Sequence, residues 1–156
     1  MRAFFPVISA LLIAACTSAP SPKVHLTVVD PGHFHAALVQ KNPLEGVSDT
    51  VKVYAPEGPE LRSFLESVER FNTRSTNPTA WKPDIHIDEA LPQCRHRGRG
   101  IVVLAGKNSH KAENILDAVQ KGYNVLSDKP MAIDLGGYAL IKEAYALAQE
   151  NGLLVY

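Results

Sequence analysis

The chain has 156 residues, 46% of them hydrophobic, with 16 Lys and Arg against 16 Asp and Glu. That length suits one domain around a real core, and the composition excludes a disordered chain. The charge balance excludes a broad nucleic-acid footprint, which needs surplus Lys and Arg, and 2 Cys exclude a disulfide scaffold.

Met1–Ala15 reads as an export signal. Arg2 supplies the charged start, and Ala3–Ala15 is uncharged and mostly apolar. That stretch is too short to span a bilayer as a helix, which takes about 20 residues. It ends Leu12-Ile13-Ala14-Ala15-Cys16, which resembles a bacterial lipobox: small residues fit the peptidase, and the Cys16 thiol accepts the lipid. The expectation is a signal peptide over 1–15, a lipidated Cys16 and a membrane-anchored lipoprotein on the periplasmic or cell-surface side. A plain secretory signal is the alternative. The Thr-, Ser- and Pro-rich stretch completes a tether over 16–22, and 23–156 is the folded domain.

Lys23–Asp30 is rich in β-branched residues and predicts a strand. Pro31-Gly32-His33 is a turn, and His35–Lys41 a short helix stopped by Asn42-Pro43. Val51–Tyr54 predicts a second strand. Pro59–Phe71 predicts an amphipathic helix, with Leu61, Phe64, Leu65, Val68 and Phe71 on one face. A short strand is expected around Ile85–Ile87, a helical turn at Asp88–Leu91, and a basic solvated loop over Gln93–Gly100. Ile101–Ala105 is an apolar run of the kind found in a strand buried on both faces. Ser109–Lys121 predicts a helix stopped by Gly122, Asn124–Ser127 a strand, and Leu135–Glu150 a helix ended by Asn151-Gly152. Leu153–Tyr156 begins another strand.

Alternating strands and helices predict an α/β fold: a Rossmann-like, doubly wound, mostly parallel sheet with helices on both faces. Ligands of such sheets bind beyond the carboxyl ends of the strands, at the switch in strand order. The candidate segments are therefore Pro31–His35, Ala55–Glu57, Gly106–His110 and Ser127–Met131.

Gly122-Tyr123-Asn124-Val125-Leu126-Ser127-Asp128-Lys129-Pro130 is the most specific stretch. With the helices on either side, it resembles the nucleotide-binding half of the glucose–fructose oxidoreductase / inositol dehydrogenase (Gfo/Idh/MocA) family, in which a strand ends in Glu-Lys-Pro. The resemblance covers Lys23–Tyr156 and is strongest over Ile101–Tyr156. It implies NAD or NADP as cofactor and places Lys129 beside the nicotinamide and the substrate hydroxyl. There an ammonium stabilises developing negative charge or relays a proton. Gly32, His33, Phe34, His35, Asn108, His110, Asp128, Lys129 and Pro130 are the expected cofactor-binding residues.

The departures are concrete. The family's glycine loop is Asp30-Pro31-Gly32-His33-Phe34-His35-Ala36 here, and only Gly32 fits the pattern. Asp30 would repel a pyrophosphate unless turned aside, and Glu57 is a displaced substitute for the acid that grips the ribose. The sequence given is expected to stop before the family's second domain, which supplies the substrate pocket, as a fragment, a truncated product or a stand-alone module. The expectation is thus the nucleotide-binding domain of an exported, sugar- or polyol-related oxidoreductase, inactive alone, its carbohydrate substrate bound only with a C-terminal domain. The alternative is a non-catalytic, membrane-tethered module with a degenerate dinucleotide site. His33-x-His35 has no third ligand of suitable spacing nearby, so no metal is expected, and phosphate donation is the preferred role of these histidines.

Overall fold

The computed structural model describes residues 23–156. The signal, the lipobox with Cys16 and the tether lie outside the described residues. Five strands form one parallel sheet in the order β3-β2-β1-β4-β5, with β1 at His25–Val29, β2 at Thr50–Ala55, β3 at Lys82–Ile87, β4 at Gly100–Leu104 and β5 at Asn124–Ser127. Val155 pairs in parallel with Val125 on the far side of β5, so the expected strand at Leu153–Tyr156 is present as a bridge. The strand order reverses between β1 and β4. That is the doubly wound arrangement that the alternating pattern predicted.

The helices divide between the two faces. On one, α1 (His35–Leu38) and α2 (Pro59–Thr73) cover a core of Leu26, Val28, Val51, Val53, Leu61, Phe64, Val68 and Trp81. On the other, α3 (Asn108–Gln120) and α4 (Leu135–Asn151) enclose Val102, Leu104, Ile115, Val119, Val125, Ile141, Ala144 and Leu153. β1 and β4 are buried on both faces, which explains their runs of β-branched residues. β3 pairs only with β2, and as an edge strand it tolerates Pro83. No helix among the described residues is long and apolar enough to cross a membrane.

Local chemistry sets the ends of these elements. Pro59 opens α2, where its missing N–H costs no hydrogen bond. The Asp134 side chain accepts a hydrogen bond from the Gly137 N–H at 2.7 Å and caps α4. Gly152 ends α4 at φ 65°, a left-handed turn that glycine adopts without strain.

Two expectations are corrected. Asp88–Leu91 is not a helical turn: the Asp88 N–H donates to the Ala55 carbonyl, prolonging the strand pairing, and Leu91 then packs into the core. The whole connection from Asp88 to Arg99 carries no helix. The first helix is also shorter than the expected His35–Lys41, running a single turn before looser turns take over.

Candidate functional site

The sheet register brings the site together. Val29 is level with Tyr54 on one side and Leu104 on the other, and Leu104 with Ser127. The chain therefore leaves β1, β2, β4 and β5 at one height. The backbone N–H groups of Asp30 and Asp128 still bond across the sheet, to the Tyr54 and Leu104 carbonyls, both at 3.0 Å.

β4 sits between β1 and β5, and its end is nearly bare. An added Cβ on Gly106 would collide with the carbonyl oxygen and carboxylate of Asp30. One on Gly32 would meet the Gly106 Cα at 3.4 Å. Two glycines back to back thus let the loop after β1 lie against the end of β4. Asp30 takes a left-handed backbone, φ 46°, and its carboxylate accepts a hydrogen bond from the Lys107 N–H at 3.3 Å. The carboxylate is turned aside onto the β4–α3 loop, which answers the repulsion expected of an acid in a pyrophosphate loop.

Past Gly32 the loop reaches β5. His35 Nδ1 lies 3.3 Å and His33 Nδ1 3.7 Å from Asp128 Oδ2. The other Asp128 oxygen pairs with the Lys111 ammonium, carried by α3 and only 2% exposed. Lys111 Nζ also approaches the Asp128 carbonyl at 3.4 Å. Burial pushes the Asp128 pKa upward, but the hydrogen bonds from Lys111 and His35, and the electrostatic pull of Lys111 and of the nearby His33, outweigh it. The carboxyl is held below its ordinary range and is an anion at neutral pH.

The structure groups only some of the expected residues. His33, His35 and Asp128 form one cluster, while Gly32, earlier in the same loop, lies against Gly106; Lys129 and Pro130 follow Asp128 directly and are exposed. The Lys129 ammonium forms no ion pair within the described residues. Phe34 is 62% exposed and packs its ring against both histidines. Asn108 lines a separate cleft with Ala132, Ile133 and Gly137, between α3 and the start of α4. His110 is turned away, toward Glu113 at 3.4 Å, and lines a third cleft. This last cleft, about 590 Å³, runs along the ends of β1, β2 and β3, with Asp30, Tyr54, Asp88 and Glu89 on its walls. Glu57, the displaced acid expected near the ribose, is absent from these walls, whose acids are Asp30, Asp88, Glu89 and Asp117.

Lys111, Asp88 and Glu89 were missed from the sequence. Lys111 left a signal: it falls on the inward face of its helix, one turn before Ile115, where a charge needs a partner. Asp88 and Glu89 left none, because a short edge strand gives no firm end from which to count.

The class defined by this fold and strand-end site is a Rossmann-like ligand-binding domain. No family model matches the chain, and no curated protein matches it. Among solved structures it is similar to a "putative oxidoreductase" from Parabacteroides merdae, at 38% identity and TM-score 0.78 over 86% of this chain and 31% of that one. It shares its fold with KijD10, a 3-ketoreductase from Actinomadura kijaniata in complex with NADP, at 21% identity and TM-score 0.55, over 85% of this chain and 37% of that one. It likewise matches the WlbA dehydrogenase from Bordetella pertussis in complex with NADH and UDP-GlcNAcA, at 18% identity and TM-score 0.55, over 87% of this chain and 35% of that one. These neighbours are oxidoreductases, and the chain spans about a third of the length of each.

Proposed function

We propose that residues 23–156 are the NAD(P)-binding domain of a Gfo/Idh/MocA-type oxidoreductase acting on a sugar or polyol. The carrying observation is the meeting of the β1, β4 and β5 loops at the switch in strand order, with Lys129 directly after. A nicotinamide dinucleotide supplies hydride exchange when bound. The residues present fit such a ligand. Exposed Gly32 offers bare backbone for a close approach, and the cleft along β1, β2 and β3 offers the carboxylates of Asp88 and Glu89 as acceptors for ribose hydroxyls. Lys129 would stabilise negative charge developing on the substrate oxygen, or relay its proton. In this reading residues 23–156 are inactive by themselves, because the cleft they line at the strand ends is open and encloses no sugar. Export and anchoring through Cys16 belong to the same reading.

Calorimetric titration of the chain with NAD(H) and NADP(H) tests it. The expected result is saturable binding that Gly32→Val weakens by about tenfold or more, roughly 1.4 kcal/mol. Absence of binding by a folded chain at millimolar cofactor overturns the dinucleotide reading. Sugar dehydrogenase turnover by the isolated chain overturns the claim of inactivity. Acylation that persists in Cys16→Ser overturns the anchor.

A second reading is a tethered, non-catalytic module. It is favoured by one observation: His35 stands where the last glycine of the loop would be, at the head of a helix one turn long. It predicts no cofactor binding even when a second domain is supplied.

A further inference from the structure

We propose that His33, His35 and Asp128 form a site for a first-row divalent cation such as Zn(II), with open positions for an oxygen donor. The site goes beyond the dinucleotide reading and does not rest on it.

The geometry carries the assignment. Each of the three residues offers one ligand atom, and these atoms all lie within 4.8 Å of one another. Tetrahedral zinc with ligands at 2.0–2.2 Å separates neighbouring ligand atoms by roughly 3.4 Å. The two His–Asp separations, 3.3 and 3.7 Å, bracket that value. Hydrogen bonding accounts for only half of the arrangement. His35 is within reach of the carboxylate, but at 3.7 Å His33 is beyond a hydrogen bond. A cation between the three groups would engage both rings at once.

The surroundings are those of a supported ligand set. Metal-bound carboxylates are held by hydrogen bonds to their second oxygen. Buried Lys111 does this for Asp128, leaving Oδ2 for the cation. Lys111 also offsets the carboxylate charge. The cation therefore keeps its own positive charge and favours an anionic oxygen, a phosphate or a carboxylate, at its open positions. The histidine side chains are 48% and 42% exposed, so ion and ligand can enter. Two imidazoles and one carboxylate suit zinc, iron(II) or cobalt(II) better than magnesium or calcium, which prefer all-oxygen sets.

His86 makes a useful contrast. It contacts Asp84 through Nε2 at 3.4 Å and Glu89 through Nδ1 at 3.1 Å. Opposite edges of one ring cannot converge on a single ion, so this cluster is not a site.

The test is a titration of the chelator-treated full chain with Zn(II) and, in parallel, Co(II), without dinucleotide. Elemental analysis gives the stoichiometry and cobalt absorption the ligand field. One equivalent should bind, raising the Tm, and His33→Ala and His35→Ala should each weaken binding about 10- to 100-fold. His86→Ala should leave it unchanged. Both site histidines are half-exposed, so these variants keep the fold, which circular dichroism checks. A chain that takes up no metal, or binding undiminished by either site substitution, overturns the proposal. Because the probe is the metal alone, failure here leaves the NAD(P) titration untouched, and the reverse holds.

Discussion

At the scale of single residues, the Lys111–Asp128 pair is the most consequential contact. Lys111 is enclosed, and its ammonium is costly to bury unless paired. Asp128→Ala removes the partner and strands the charge, which should cost about 3–5 kcal/mol. Lys111→Met should cost less, because Asp128 keeps His35 and some solvent. The double variant should be more stable than Asp128→Ala alone. Urea unfolding of the four proteins checks the cycle; simple additivity would show that the pair is not coupled. Gly106 is the second such position. Gly106→Ala drives a methyl into Asp30, and the overpacking should cost about 1–3 kcal/mol and weaken any ligand held by the β1 loop. Neither contact is written in local sequence. Asp128 stands out by its Lys-Pro neighbours, and His33 and His35 by their spacing, but their meeting depends on the order of β1, β4 and β5. A third group of ligand type is thus missing beside His33 and His35 along the chain, and the fold brings one, Asp128, up to them in space.

At the scale of elements, α2 shows what periodicity reveals. Leu61, Phe64 and Val68 are buried as their spacing predicts, while Leu65 and Phe71 pack only at the margin. Phe64→Ala should cost about 3–5 kcal/mol and Phe71→Ala clearly less; thermal unfolding separates the two. α4 depends on its cap. Asp134→Ala removes the acceptor of the Gly137 N–H and should cost about 1 kcal/mol, with Asp134→Asn recovering most of it. The elements that read poorly lack such regularity. Only the last part of β3 was legible, because Lys82, Pro83 and Asp84 show neither alternation nor β-branching in a strand exposed at the sheet edge. The turn expected at Asp88–Leu91 failed because strand pairing by the Asp88 N–H competes with helix initiation. α2, α3 and α4 lie where their apolar stripes put them, within two residues at each end.

At the scale of the molecule, alternation alone was enough for a parallel, doubly wound sheet, because parallel strands need crossovers and crossovers cover both faces. It does not reveal what replaces a helix between β3 and β4. The connection there is a loop, and Tyr123 packs beside it: buried in the larger core cluster, against Gly100, and lining the cavity shared with Gln93, Arg95 and His96. Burial, with smaller contributions from Cys94 and Tyr54, raises the Tyr123 phenol from 10.0 to about 12. Tyr54 is raised as well, by burial and by Glu89 and Asp84. The folded pKa exceeds the unfolded one, so the unfolded chain loses its proton first. Below pH 10 this contribution to stability is fully present; it is lost as pH climbs toward 12. Unfolding free energy should therefore be flat in this respect up to about pH 10 and fall above it. Tyr123→Phe should make the alkaline decline shallower without abolishing it, since Tyr54 still titrates. Urea unfolding at stepped alkaline pH measures both slopes. An unchanged slope in Tyr123→Phe would place the phenol in contact with solvent and the 88–99 loop away from the sheet.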